Sequence, residues 1–160
     1  MNIKFYEIDN SYIDYLAQFA PHLFHNSQQN QQNNRKYIGI LFSINNFDYF
    51  APLSSFKSKH EHMQESMDFI KVGNYAVINL NNMFPAKAVY CNYIDFSNEQ
   101  DYKYRQLLEA EYRIIVKKQE KIIKSANNLY NYKIKYGTST ALARRCNDFR
   151  LLEEKAKLYR

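Results

Sequence analysis

Glycine, proline, cysteine and tryptophan are scarce in this chain of 160 residues, which has 3 Gly, 3 Pro, 2 Cys and no Trp. Two isolated thiols, Cys91 and Cys146, are too few for a disulfide framework or a zinc cluster. Reduced thiols are what a cytoplasm keeps. So few glycines exclude a Gly-rich phosphate loop and a flexible linker. HExxH, Walker and GxSxG motifs are absent. No apolar run approaches membrane-spanning length, and the opening MNIKFYEID lacks the apolar core of a signal peptide. The expectation is a soluble, cytoplasmic protein.

The chain is instead rich in aromatic and basic residues. It carries 15 Tyr and 11 Phe, and 46% of its residues are hydrophobic, enough to bury a core in one domain of this length. An A+T-rich genome would also enrich Tyr, Phe, Asn, Lys and Ile. The net charge of +6 is unevenly spread. Residues 1–100 hold 7 Lys/Arg against 9 Asp/Glu, and residues 101–160 hold 15 against 7. A basic second part fits an anionic partner such as nucleic acid, although solvated helix faces are often Lys-rich too.

Hydrophobic periodicity divides the chain at about residue 98. Ile3–Ile8 reads as a strand and Tyr12–Phe19 as a short helix with N-cap candidates at Asp9, Asn10 and Ser11. His25–Asn34 is a Gln/Asn tract, read as a mobile loop. Tyr37–Ile44 reads as a buried strand that returns through Asn45-Asn46 into Phe47–Leu53. Met67–Val72 and Tyr75–Leu80 form a second hairpin around Gly73-Asn74, and Lys87–Phe96 reads as a further strand. Glu99–Asn127 lacks Gly and Pro. It places Leu108, Ile115, Ile122, Ala126 and Leu129 on one helical face and Arg113, Lys117, Lys121 and Lys124 on the other. Gly137 marks a break before a last helix over Asp148–Leu158. The expectation is one α+β domain over 1–160, β-rich over 1–97 and helical over 98–160. Its sheet would be a twisted antiparallel one or a small open barrel.

The chemistry concentrates in Ala51–His60, APLSSFKSKH. Pro52 fixes its own φ and biases Ala51 toward an extended shape, so the next side chains stand at the end of a rigid element. Ser54, Ser55, Lys57, Lys59 and His60 then offer hydroxyls, ammonium groups and an imidazole within seven positions. A solvated loop would look similar. These residue types nevertheless suit metal-free RNA cleavage, in which the substrate supplies the 2′-OH nucleophile. The protein must align that oxygen, stabilise the added charge and move two protons. Lys57 would neutralise the transition state, Ser54 and Ser55 would hydrogen-bond phosphate oxygens or orient the 2′-OH, and His60 has the pKa range for acid or base work. Arg35 and Lys36 at the mouth of the next strand would add positive charge. His60-Glu61-His62 with Glu65 has the wrong spacing for a cupin-like metal trio and lacks its glycines. No metal and no cofactor are expected.

Four segments carry a family resemblance in the same order. YIGILF followed by YFAPLSSFKSKH resembles the hallmark of the ToxN/AbiQ family of type III toxin–antitoxin endoribonucleases. KFYEIDNSYIDYL, AVINLNNMFPA and CNDFRLLEEKAKLY resemble that family's first strand and helix, central segment and last helix. The resemblance implies a strongly twisted antiparallel sheet with packed helices, similar to Kid/MazF-type toxins. It implies a metal-independent RNase leaving 2′,3′-cyclic phosphate and 5′-OH ends. It also implies a small structured RNA antitoxin, cut by the toxin from a repeated precursor and inhibiting it in a closed toxin–RNA assembly. Such systems act in abortive infection against phage or in plasmid maintenance.

Residue by residue, Ser54, Ser55 and Lys57 match the family's hydroxyl–hydroxyl–lysine site. Arg35 stands where relatives carry a lysine, with Lys36 beside it, so either fills that role. Tyr12 matches a tyrosine of the first helix and His60 a histidine after the lysine, both expected at the rim of the site. Lys59 and the helix face of Arg113, Lys117, Lys121 and Lys124 are expected to hold RNA. Two rivals stay open: a non-catalytic RNA-binding module of similar fold, and an RNase inhibited by a protein antitoxin.

Overall fold

The computed structural model describes residues 2–23 and 35–160, so the Gln/Asn tract lies outside the described residues. Among the described residues, eight strands form an open antiparallel sheet: β1 Lys4–Ile8, β2 Tyr37–Gly39, β3 Ser43–Ile44, β4 Phe47–Ser55, β5 Phe69–Val72, β6 Ala76–Asn79, β7 Phe84–Ala86 and β8 Cys91–Tyr93. The order is β5-β6-β4-β2-β1-β8, with β3 and β7 also paired to β4. The helices are α1 Asn10–Ala17, α2 Tyr102–Tyr136, α3 Ala141–Arg145 and α4 Phe149–Leu158. This is the α+β architecture expected from the sequence. No helix among the described residues is long and apolar enough to cross a membrane.

The nine residues of β4 are the spine. Their first half pairs with β3 and β7, and their second half with β2 and β6. Pleating sends successive side chains to opposite faces. Tyr49, Ala51 and Leu53 join the core under α2, where Leu108, Ile115, Ile122, Ala126 and Leu129 are all buried. Phe50 joins a second core with Tyr12, Ile13 and Leu16 of α1 and Leu152 of α4. The apolar stripe read from α2 is thus the face that covers the sheet.

Local chemistry explains most boundaries. Asn45 and Asn46 turn β3 into β4 with φ of 51° and 69°, the left-handed pair that a two-residue hairpin needs. Gly73, at φ 56°, turns β5 into β6. Asp101 and Asp148 cap α2 and α4 by accepting from Tyr104 N–H and Leu151 N–H. Two expected strands are corrected. Tyr37–Ile44 breaks after Gly39, where a Cβ would stand 2.5 Å from the Phe50 ring. Lys87–Phe96 is not one strand: a 3-10 turn at Ala88–Tyr90 precedes the short β8, and β7 lies upstream at Phe84–Ala86.

The edge strand β5 is sealed by side chains, as exposed edges must be. Glu65 Oε2 accepts from Lys71 N–H at 2.8 Å, and Lys118 Nζ donates to Lys71 C=O at 2.8 Å. Lys118 and Lys121 each meet the Glu65 carboxylate at 2.9 Å. Burial pushes the Glu65 carboxyl up, but these three donors outweigh it and hold its pKa at about 2. The depressed value means that the latch stabilises the fold above the ordinary carboxylate range and is lost as pH falls toward 2. Glu65→Gln is expected to cost about 1–2 kcal/mol at pH 7. Urea unfolding at neutral and acid pH checks this, because the difference between wild type and variant should shrink in acid.

Candidate active site

The end of β4 carries the hydroxyls. Leu53 N–H donates to Lys36 C=O at 3.1 Å, which extends the β2–β4 ladder past Tyr37 and sets Arg35 opposite Ser54. Arg35 Nη1 donates to Ser54 Oγ at 3.3 Å. The pleat turns Lys36 to the other face. There its Nζ bonds Glu7 Oε1 at 3.3 Å and stands 5.7 Å from the Tyr104 ring. Arg35 is therefore the cation at the hydroxyl, and Lys36 belongs to the α2 side of the sheet. Burial pulls the Arg35 pKa down from its ordinary value, but a guanidinium stays charged.

Ser54 is half-buried, whereas Ser55, Lys57 and Lys59 are exposed. Past Ser55 the chain leaves the sheet, and Lys57 caps a 3-10 turn over Ser58–Glu61. His60 closes that turn from beneath. Its Nδ1 accepts from Lys57 N–H at 2.8 Å, and the His60 backbone N–H donates to Lys57 C=O at 2.8 Å. The ring is buried, with Phe56 and Phe69 each 5.6 Å away between centroids. Desolvation, then the positive charges of Lys59, Lys57 and Lys71, hold the imidazole below its ordinary pKa. A neutral ring accepting at Nδ1 carries its proton on Nε2.

The structure places Tyr12, expected at the rim, in the core. It is 1% exposed, its hydroxyl donates to Pro85 C=O, and its ring stacks on Tyr90 at 5.0 Å and 14°. Burial drives its phenol pKa far up. Pro85 pairs with Tyr49, six residues before Ser55, so this contact lies ~20 Å along β4 from the hydroxyls.

On the outer face of α2, Arg113, Lys117, Lys121 and Lys124 are all exposed, as expected. Lys121 already faces Glu65, so it is partly neutralised.

Lys71 went unnoticed in the sequence. Val77 pairs with both Ser54 and Lys71, so Lys71 shares the face of Arg35 and Ser54 two strands away, roughly 10 Å across the sheet. The alternation of FIKV into the Gly73-Asn74 turn held that information. Tyr75 was also missed. It is 47% exposed and its C=O accepts from Phe56 N–H, which sets an aromatic surface beside the reactive loop. Among the described residues, no group of three or more His, Cys, Asp or Glu is arranged to hold a metal ion. His60 and Glu65, two members of the metal set considered from the sequence, bond to Lys57 N–H and to Lys118 and Lys121.

The fold itself, an open antiparallel sheet backed by a long helix, is shared with a known class of proteins. The family described as "Toxin ToxN, type III toxin-antitoxin system" matches residues 4–157. The endoribonuclease ToxN of Bacillus thuringiensis subsp. kurstaki is 30% identical over 170 residues, covering 99% of this chain and 85% of the relative. The endoribonuclease ToxN of Pectobacterium atrosepticum is 29% identical over 164 residues, covering 96% and 91%. Two solved structures share the fold. One comes from a bacterial type III toxin–antitoxin system with selective toxin inhibition by a non-coding RNA pseudoknot (TM-score 0.81, 27% identity, 99% and 98% covered). The other comes from a bacterial antiviral system regulated by a processed non-coding RNA (TM-score 0.86, 28% identity, 98% of each chain). This chain belongs to the ToxN family, the endoribonuclease toxins of type III toxin–antitoxin systems.

Proposed function

We propose that the chain cleaves single-stranded RNA without a metal, within a site made by Arg35, Ser54, Ser55 and Lys57. The observation that carries the proposal is the Arg35 Nη1 contact to Ser54 Oγ at the strand end from which Lys57 projects. The 2′-oxygen attacks the adjacent phosphorus, and its proton leaves to a base. The P–O5′ bond then breaks, and the departing 5′-oxygen takes up a proton. The products are a 2′,3′-cyclic phosphate and a 5′-OH. Arg35 and Lys57 stabilise the extra charge of the five-coordinate state, and the serine hydroxyls hold its oxygens. Tyr75 stacks on an unpaired base. Lys59 and the exposed cations of α2 hold the phosphates of a structured antitoxin RNA, which the enzyme first processes from a repeated precursor. The type III relatives regulated by a non-coding RNA support that partner, and the antiviral relative supports a role in phage defence.

The test is cleavage of a long single-stranded RNA in excess chelator, with the product ends determined. Wild type should cut and leave cyclic phosphate ends. Ser55→Ala should cut about 10²–10³-fold more slowly, the loss typical of removing one transition-state donor. Equal cutting by both proteins would remove Ser55 from the site. No cutting by RNA-free wild type would leave a binding module.

A further inference from the structure

Lys57 and His60 hold each other through two reciprocal 2.8 Å hydrogen bonds. Together they fix the backbone of Lys57, at φ −116° and ψ 162°, where the chain leaves β4. The bond from Lys57 N–H needs a lone pair on Nδ1, and a protonated imidazole has none. Protonation would therefore set two N–H groups against each other under the turn. The ring is 6% exposed and packed between Phe56 and Phe69, so it has little room to swing away and find water.

We propose that His60 is a positioning residue, not the proton carrier, and that its protonation releases the turn bearing Lys57 and switches RNA cleavage off in acid. This rests on the reading of Lys57 as part of the cleavage site. The cations around the ring act in one direction. Lys57 and Lys59 come from its own turn, and Lys71 comes from β5, whose Nζ donates to Glu61 C=O at 3.3 Å. Glu61 is the acidic member of the turn. Burial and the three lysines keep the neutral form dominant at pH 7. The folded state thus binds the proton less readily than an exposed histidine. The native turn is intact above the ordinary histidine value near 6.5 and is lost as pH falls below it through the lower folded value.

Three variants and one spectrum test this. In asparagine, Oδ1 takes the place of Nδ1, accepts the same bond and does not titrate. Single-turnover cleavage in chelator is measured from about pH 5 to pH 8.5, with RNA affinity followed in parallel. Wild type should lose about tenfold in rate per pH unit on its acid limb, as one controlling proton requires. His60→Ala should be slower than wild type by about 100-fold at pH 8, the cost of misplacing a reacting group by about 1 Å, and should run flat through the acid range. His60→Asn should recover most of that loss at pH 8 and run flat through the acid range. An Asn variant as slow as Ala would overturn the proposal and make the imidazole the proton carrier. An Asn variant keeping the acid limb would also overturn it, by assigning the limb to another group. The ring nitrogens of the neutral wild-type protein, read by 15N NMR, should show the proton on Nε2. A proton on Nδ1 would overturn the proposal whatever the variants do. Lys57→Ala cleaving at the wild-type rate would overturn the site and the proposal together, whereas the other adverse results overturn the proposal alone.

Discussion

Arg35→Ala is expected to slow RNA cleavage by about 10²–10³-fold, whereas Lys36→Ala, one residue on, should slow it by less than about tenfold. The two cations are neighbours in sequence, but the pleat of the sheet separates them. Arg35 donates to Ser54 Oγ at 3.3 Å, while Lys36 pairs with Glu7 at 3.3 Å under α2. On the cleavage site proposed above, truncating Arg35 removes positive charge from the place where negative charge would develop. Truncating Lys36 instead breaks a partly buried ion pair and should appear mainly as lost stability, about 1 kcal/mol. Single-turnover rates and RNA affinities measured on both variants distinguish the cases. A rate loss for Arg35→Ala without matching loss of affinity means a contact made mainly in the transition state. An inactive Lys36→Ala beside an active Arg35→Ala would reverse the assignment.

Glu153→Ala is expected to be strongly destabilising, at about 3–5 kcal/mol. The carboxylate of Glu153 is buried and accepts from Tyr49 at 2.6 Å and Tyr130 at 2.7 Å, joining β4, α2 and α4. Removing it takes that acceptor from the Tyr130 hydroxyl, leaves Tyr49 only the Phe149 C=O at 3.4 Å, and opens the lost side-chain volume in the core, with about 1–3 kcal/mol for an unsatisfied group. Burial, and then Glu153, push the Tyr130 pKa up to about 12, so both phenols remain donors across the physiological range. Thermal unfolding should show a fall in Tm of roughly 10 °C. Glu153→Gln, which keeps an acceptor in place, should recover part of it. A variant within about 1 kcal/mol of wild type would mean that the carboxylate's desolvation cost cancels its bonds.

Much of this was legible in the sequence because it is local. The Asn45-Asn46 and Gly73-Asn74 turns, the α2 stripe and the run of reactive side chains after Pro52 are short-range patterns whose physical reading needs no partner strand. What was not legible depends on pairing. The choice between Arg35 and Lys36 is fixed by which one lies opposite Ser54, a matter of register. Tyr12 sits at helical spacing with other aromatics, and spacing alone does not separate a core phenol from a site phenol. Its burial against Tyr90 and Tyr159 decides. The strand expected over Lys87–Phe96 failed for a related reason. Its residues alternate acceptably, but Asp9 N–H takes the Tyr90 carbonyl and the chain turns there before β8 pairs with β1. His60 looked like acid–base equipment because imidazoles often are. The Lys57 N–H pointing at Nδ1 gives it a different occupation.

The clamp on Tyr49 also sets an order in time. Tyr49 and Glu153 are separated by 104 residues, and the reactive loop follows Tyr49 directly on the same strand. A ribosome therefore releases the whole of β4 and the turn after it long before the helix that locks that strand. Local turns and α2 can form as they emerge, but the Tyr49 hydroxyl gains its Glu153 partner only once α4 has emerged.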